Sequence, residues 1–319
     1  MRIAVTGAGG FIGRRLVAEL QARGSLDGRK ITELVLLDQA FPAEIAGGPI
    51  PVRRIAGDIS QPAVRDALFG DRLDAIFHFA AMLTAGAEKA FDNGVHINIH
   101  GLMDLLEACR RQGGIRFIFS SSMAVFGGEL PDVVTDALAQ RPQNSYGVQK
   151  AIAELLIDDY TRRGFIDGRA MRLAVVLLRG SNDTPTLSEA ISAVVREPLL
   201  GRRAACPFDP AWPMPVSSVG AVAKAFCTLF ELPSEALGAV RTVNMPALTV
   251  TLDEMVAAVE RRVGPQARGL IDWKLDRKTA DLLTQMPTRI TSARAIAAGI
   301  VAESSFDAVL DDFLANNGR

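Results

Sequence analysis

The chain has 319 residues, of which 49% are hydrophobic and 22% charged, with a formal net charge of −1. That length holds a full-sized core in one large domain or two modest ones, and the near-neutral balance gives no sign of the basic surface by which nucleic acid or an anionic membrane is bound. Three scattered cysteines, Cys109, Cys206 and Cys227, show no metal spacing and fit a reduced, cytoplasmic setting.

The chain is predicted to open on a strand, Ile3–Thr6, so no secretory leader is expected, and no apolar run approaches the roughly 20 residues of a membrane helix. A glycine-rich turn leads into a helix over Phe11–Arg23, with Ile12, Leu16, Val17 and Leu20 as its apolar face and Gly24 as its stop. Strands are predicted at Glu33–Asp38, Val52–Gly57, Ala75–Ala80, Phe117–Ser121 and Met171–Leu178, with long helices over Ile97–Arg111 and Tyr146–Arg163. Most of these strands are near-continuous apolar runs, as strands covered on both faces must be. The alternation predicts an α/β fold: a Rossmann-type doubly wound parallel sheet over residues 1–178. Beyond residue 178 Gly, Pro and Ser rise, as in Thr184-Pro185, Cys206-Pro207 and Trp212-Pro213-Met214-Pro215. A short strand near 241–245 is expected to return to the sheet, ahead of a Thr251-Leu252-Asp253-Glu254 capping box and a helix to about Val263. Residues 179–319 are read mainly as a smaller C-terminal lobe that covers the substrate.

The segment Thr6-Gly7-Ala8-Gly9-Gly10-Phe11-Ile12-Gly13 lies between the first strand and the first helix. Gly7 permits a tight turn, Gly10 lets the backbone approach a pyrophosphate, and Gly13 lets helix and strand pack closely. The helix N-terminus then meets the phosphate charge. Asp38, at the end of the second strand, is placed to accept both hydroxyls of an adenosine ribose and to repel a 2′-phosphate, which selects NAD over NADP. Asp58 and Ile59, after the third strand, are candidates for the adenine edge, although Asp58 reads equally as a helix N-cap.

Tyr146 and Lys150 are four residues apart and share a helix face. A phenol with an ordinary pKa of about 10 is a poor base at neutral pH, and a neighbouring ammonium lowers that value. Ser122, at the serine-rich end of the fifth strand, is the candidate to hydrogen-bond a substrate oxygen, with Ser120 and Ser121 serving backbone or cofactor. Thr84 and Arg179 are further substrate candidates; the planar fork of Arg179 suits a carboxylate, and a structural salt bridge is its other reading. His96 and His100 have a spacing that can bind metal but lack a third ligand, so no metal is expected. Trp212, Met214 and Trp273 are read as core residues, with lining of a pocket as their other reading.

Together these residues resemble the extended short-chain dehydrogenase/reductase family over almost the whole chain, from Thr6–Gly13 through Phe77-His78-Phe79-Ala80-Ala81, Asn98, Ser120–Gly127 and Tyr146–Lys150 to Val243-Asn244 and Thr251–Glu254. The resemblance implies that Ala80, Ala81 and Asn98 lie at the cofactor with the glycine loop, Phe11, Ile12 and Ser120. It also implies that Ser122, Tyr146 and Lys150 form the catalytic set. More narrowly, Val125-Phe126-Gly127-Gly128, Ser145–Lys150, Gly164–Ala170, Arg196-Glu197-Pro198-Leu199 and Ala205-Cys206-Pro207 are similar to a branch that oxidises the 2-hydroxyl of a four-carbon sugar acid with NAD. The chain departs from the family at Leu173-Ala174-Val175, where Leu-Pro-Thr is usual, and at Arg179-Gly180-Ser181, where Arg-Pro-Gly is usual.

The resemblance implies an NAD-dependent dehydrogenase that acts on a small sugar acid; a homodimer is the candidate assembly. A nucleotide-sugar epimerase that holds NAD permanently shares the same catalytic set, with Arg202-Arg203 as the nearest diphosphate candidate. A dehydratase is disfavoured by Met123-Ala124, where those enzymes carry an acidic pair. A non-enzymatic dinucleotide sensor is disfavoured because Tyr146 and Lys150 are both kept.

Overall fold

The structure, a computed structural model, describes residues 1–42, 47–178, 187–277 and 283–317. Six strands of the central sheet follow in chain order: β1 (Arg2–Thr6), β2 (Glu33–Asp38), β3 (Val52–Ala56), β4 (Ala75–His78), β5 (Arg116–Ser122) and β6 (Asp167–Leu173). Strands β7 (Val175–Leu177), β8 (Ala204–Cys206) and β9 (Pro213–Ser218) lie outside that sheet, and β10 (Thr242–Asn244) returns to it. The sheet order is β10-β6-β5-β4-β1-β2-β3, and every neighbouring pair is parallel. Connections run outward in opposite directions from β1 and β4, so the crevice for a ligand opens beyond the carboxyl ends of those two strands.

Both faces of the sheet are buried, which explains the unbroken apolar runs. Ile3 and Val5 of β1 pack with helices α1 (Phe11–Arg23) and, further along the chain, Val219–Glu231, through Leu16, Leu20 and Phe226. Ala4, between them, faces the opposite side with Val35, Ile76, Leu105 and Ile157. That side is covered by α2 (Pro62–Leu68), α3 (Gly101–Gln112) and α4 (Ser145–Arg162).

The predicted strand Met171–Leu178 is two strands. β6 begins earlier, at Asp167, and pairs with β5, while β7 belongs to a second sheet of order β11-β9-β7, where β11 is Leu248–Thr251. Two apolar strands in succession carry no periodic signal at their junction, and the polar start Asp167-Gly168-Arg169 conceals the true beginning. Arg169 is tolerated there, fully buried, because it pairs with Asp167 and donates to the carbonyls of Leu229, Phe230 and Leu232.

The predicted helix Ile97–Arg111 likewise has two parts: a π-helical turn over His96–His100 and then α3. The remaining helices are α5 (Leu187–Leu199), α6 (Val219–Glu231), α7 (Leu252–Val263) and α8 (Phe306–Asn317), with shorter turns between. Thr251 and Glu254 form both halves of the expected capping box on α7. A separate core, including Val175, Leu177, Val194, Phe208, Met214, Val216, Met255 and Leu310, joins these elements, and Trp212 and Trp273 pack against it. Among the described residues no helix is long and apolar enough to cross a membrane.

Candidate active site

The glycine loop is built by close approach. Gly7 adopts φ +69°, and a Cβ there would lie 2.7 Å from the Ala80 nitrogen, so the loops after β1 and β4 touch at this residue. A Cβ on Gly13 would overlap the Gly7 carbonyl, which fixes α1 directly against the end of β1. Gly10 is exposed and caps α1 without a side-chain bond, and the first turn carries no acidic residue. The positive dipole end of α1 therefore faces no acidic side chain of its own first turn. Phe11 and Ile12 pack partly against the sheet core.

Asp38 turns back onto this loop: its Oδ2 accepts the Gly9 N–H at 2.8 Å. Gly9 falls outside the 7, 10, 13 triplet, yet a Cβ on it would come within 2.5 Å of the Ala40 carbonyl oxygen. Asp58 is not a helix cap. Gln61 precedes α2, while Asp58 accepts the Ser60 N–H at 2.8 Å in an Asx turn and receives Gln39 Nε2 at 3.3 Å. Ile59 is buried in the core beneath.

After β4, Ala80 donates weakly to Thr6 Oγ1 at 3.4 Å, and that oxygen lies 2.6 Å from His78 Nδ1. Thr6 Oγ1 and His78 Nδ1 share this hydrogen bond, and the imidazole tautomer decides which of the two donates. Burial, followed by the Lys150 charge, pushes the His78 pKa down to about 3. Asn98, on the π turn, grips the same segment: its Oδ1 accepts Met82 N–H and its Nδ2 donates to Met82 O and to Gln149 Oε1. Ala81 lies within this tethered segment, whereas Thr84 stands exposed at the start of the short helix Thr84–Lys89.

Tyr146 and Lys150 lie on the first turns of α4, which Asn144 caps by accepting the Gly147 N–H. Lys150 is buried, and its Nζ donates to the Ser120 carbonyl at 2.7 Å. The same nitrogen sits 4.4 Å from the Phe119 ring centroid and 5.5 Å from that of Tyr146. Burial lowers the Lys150 pKa to about 7, against the opposing charge of Glu154. Ser122 Oγ accepts the Ala124 N–H at 3.1 Å, which folds the chain into a turn immediately after β5. That turn meets α4 at Gly147, where any Cβ would overlap the Ala124 carbonyl. Ser122 and Tyr146 are thus carried by two segments in direct contact. Arg179 lies outside the described residues.

The sequence gives one readable sign of Gly147, a glycine in a helix that otherwise favours better helix formers. Gln149, Glu154 and Arg172 carry no such sign, since on paper they are ordinary helix and strand polar residues. His96 and His100 are merely ring neighbours, 6.2 Å apart, and no group of three metal-ligating side chains occurs among the described residues. Arg202 is paired with Glu197 at 2.5 Å.

Residues 3–213 match the NAD dependent epimerase/dehydratase family. The chain belongs to that family. It is 38% identical to the D-erythronate dehydrogenase of Cupriavidus necator, covering 100% of this chain and 99% of that protein. Its identity to the D-erythronate dehydrogenase of Haemophilus influenzae is 35%, over 98% of this chain and 99% of that one. Among solved structures, the nucleoside-diphosphate-sugar epimerase of Agrobacterium tumefaciens is 33% identical with a TM-score of 0.93, covering 99% of this chain and 94% of that one. Within the family, the likeness to four-carbon sugar-acid dehydrogenases therefore extends through both halves of the chain.

Proposed function

We propose that this protein is an NAD-dependent dehydrogenase that oxidises the 2-hydroxyl of D-erythronate, or a close aldonate, to the 2-oxo acid. The observation that carries the reading is the end-to-end likeness to two D-erythronate dehydrogenases, in a chain that keeps Ser122, Tyr146 and Lys150.

The residues present fit the dinucleotide. Gly7, Gly10, Phe11, Ile12 and Gly13 would hold its pyrophosphate at the start of α1, and Asp38 its adenosine ribose. Asp58 and Ile59 would flank the adenine, and Ala80, Ala81, Asn98 and Ser120 would line the nicotinamide half. When bound, NAD would supply the hydride acceptor for C2 of the acid. Tyr146, as phenolate, takes the proton of the 2-hydroxyl. Ser122 already accepts one backbone N–H, so its own proton is left to donate to the substrate oxygen. Lys150, fixed by Ser120, favours the phenolate by its charge. Thr84 and Arg179 remain the candidates for the substrate's polar tail.

In this reading residues 1–178, with the returning strand β10, form the dinucleotide-binding part, and residues 179–319 form the rest, mainly the substrate lobe. The setting is cytoplasmic, which the three free cysteines support. A homodimer is part of the same reading. Val148, Ile152 and Leu155 stand exposed along α4, beside exposed Met103 on α3, as an apolar stripe that a second copy would cover. Sedimentation of a dimer supports that element, and a monomer at micromolar concentration removes it.

The position of oxidation is tested with D-erythronate deuterated at C2. Deuterium in the reduced cofactor supports the reading. Transfer from C3 or C4, with none from C2, rejects it.

A further inference from the structure

Glu154 lies one helical turn beyond Lys150 on α4 and is buried, yet it has no part in the chemistry derived above. Its carboxylate is held from three sides. Arg172 of β6 reaches it with Nε and with Nη2, the latter at 2.7 Å, while Ser121 Oγ and Gln140 Nε2 also donate to it. Arg172 continues to Asn244 Oδ1 of β10 and lies over the Phe126 ring. Isolated stability is a poor reason for such a cluster, because a buried ion pair is commonly no better than apolar residues of the same volume.

We propose that Glu154 is a positioning residue for hydride transfer: its fixed buried charge decides that, once one proton has left the Tyr146/Lys150 pair, the phenol loses it and the amine keeps it. The proposal rests on the dehydrogenase reading. Two singly deprotonated forms compete, ammonium with phenolate and amine with phenol, and only the first contains the base. A negative charge one turn from Lys150 and two turns from Tyr146 stabilises the ammonium more than it disfavours the phenolate. Burial works in the other direction, because the ammonium is taken out of water. The other groups facing the pair do not replace Glu154. His78 of β4 is neutral, the Ser120 carbonyl of β5 contributes a dipole, Arg172 of β6 is positive, and Asp158 lies a further turn along α4.

The chain has only two tyrosines, Tyr146 and Tyr160, which gives a test that needs no substrate. Tyr160 donates to Glu107, and burial with that carboxylate pushes its pKa up to about 12. Ultraviolet titration of tyrosinate in the cofactor-free protein below pH ~11 therefore reports Tyr146. In the Glu154→Gln protein the tyrosinate midpoint should rise by at least ~0.5 pH units, and Glu154→Asp, which keeps the charge, should restore most of the shift. If Glu154→Gln fails to fold with Arg172 left unpaired, the Glu154→Gln/Arg172→Met protein is titrated beside Arg172→Met alone, so that the two differ only in the carboxylate charge, and the midpoint should be higher in the double variant. A folded neutral variant with the same midpoint as the protein it is compared with overturns the proposal, as does an aspartate variant shifted as far as the glutamine one. Loss of erythronate oxidation by the wild-type protein would instead overturn the dehydrogenase reading, which the titration does not touch.

Discussion

The Asp38 carboxylate accepts the backbone N–H of Gly9 at 2.8 Å, so the acid at the end of β2 is fixed against the glycine loop rather than free in solvent. A ribose carried on that loop meets a preoriented acceptor, and a 2′-phosphate at the same place meets a like charge. NAD should therefore be preferred over NADP by at least ~10-fold in kcat/KM, or ~1.4 kcal/mol. Asp38→Ala should narrow that ratio, mainly by improving NADP. Initial rates with both cofactors check this, and equal use of NADP by the wild-type protein would contradict it.

Tyr146→Phe should lower kcat by at least ~100-fold, the low end for a lost general base. NADH affinity, measured by fluorescence titration, should change little, because the phenol acts on the substrate oxygen. A variant with near-normal turnover would remove Tyr146 from the mechanism.

The close contact of Gly147 with the Ala124 carbonyl predicts a stability cost. Alanine is the better helix former by up to ~1 kcal/mol, but overpacking at a backbone contact typically costs ~1–3 kcal/mol. Gly147→Ala should lower the thermal midpoint and also kcat, since it separates the Tyr146 and Ser122 segments. Gly101→Ala, where the nearest atom would be 3.6 Å from the new Cβ, should be neutral or stabilising. Similar midpoints for the two variants would show that the Gly147 contact relaxes without cost.

These contrasts mark what was legible in the sequence. The glycine triplet, Asp38 and the Tyr146/Lys150 spacing are local patterns with fixed geometry, and the apolar runs identify strands buried on both faces. The division between β6 and β7 was hidden because both sides of Ala174 are apolar. The Asn98–Gln149 clamp and the Glu154–Arg172 pair join residues 51 and 18 positions apart, and no local pattern announces a partner at that distance. Asp58 was readable as an N-cap because an Asx turn uses the same residue type for a neighbouring backbone N–H.

His78 makes stability fall on acidification. Its pKa is about 3 in the fold against an ordinary 6.5, so the unfolded chain binds the extra proton first. The stabilisation is complete above pH 6.5 and is lost progressively toward pH 3, amounting to about 2 kcal/mol between pH 7 and 5. Urea unfolding at those two pH values should show a smaller loss for His78→Gln than for wild type, by about that amount. An equal loss in both would mean that His78 is already protonated in the folded protein.

The central claim is tested most directly by NADH formation at 340 nm when the purified protein is given NAD and D-erythronate, beside other short aldonates and a nucleotide-sugar panel. The account predicts that D-erythronate or a neighbouring four-carbon acid has the highest kcat/KM and that nucleotide sugars are not interconverted. No NADH from any short hydroxy acid, together with epimerisation of a nucleotide sugar, would contradict it.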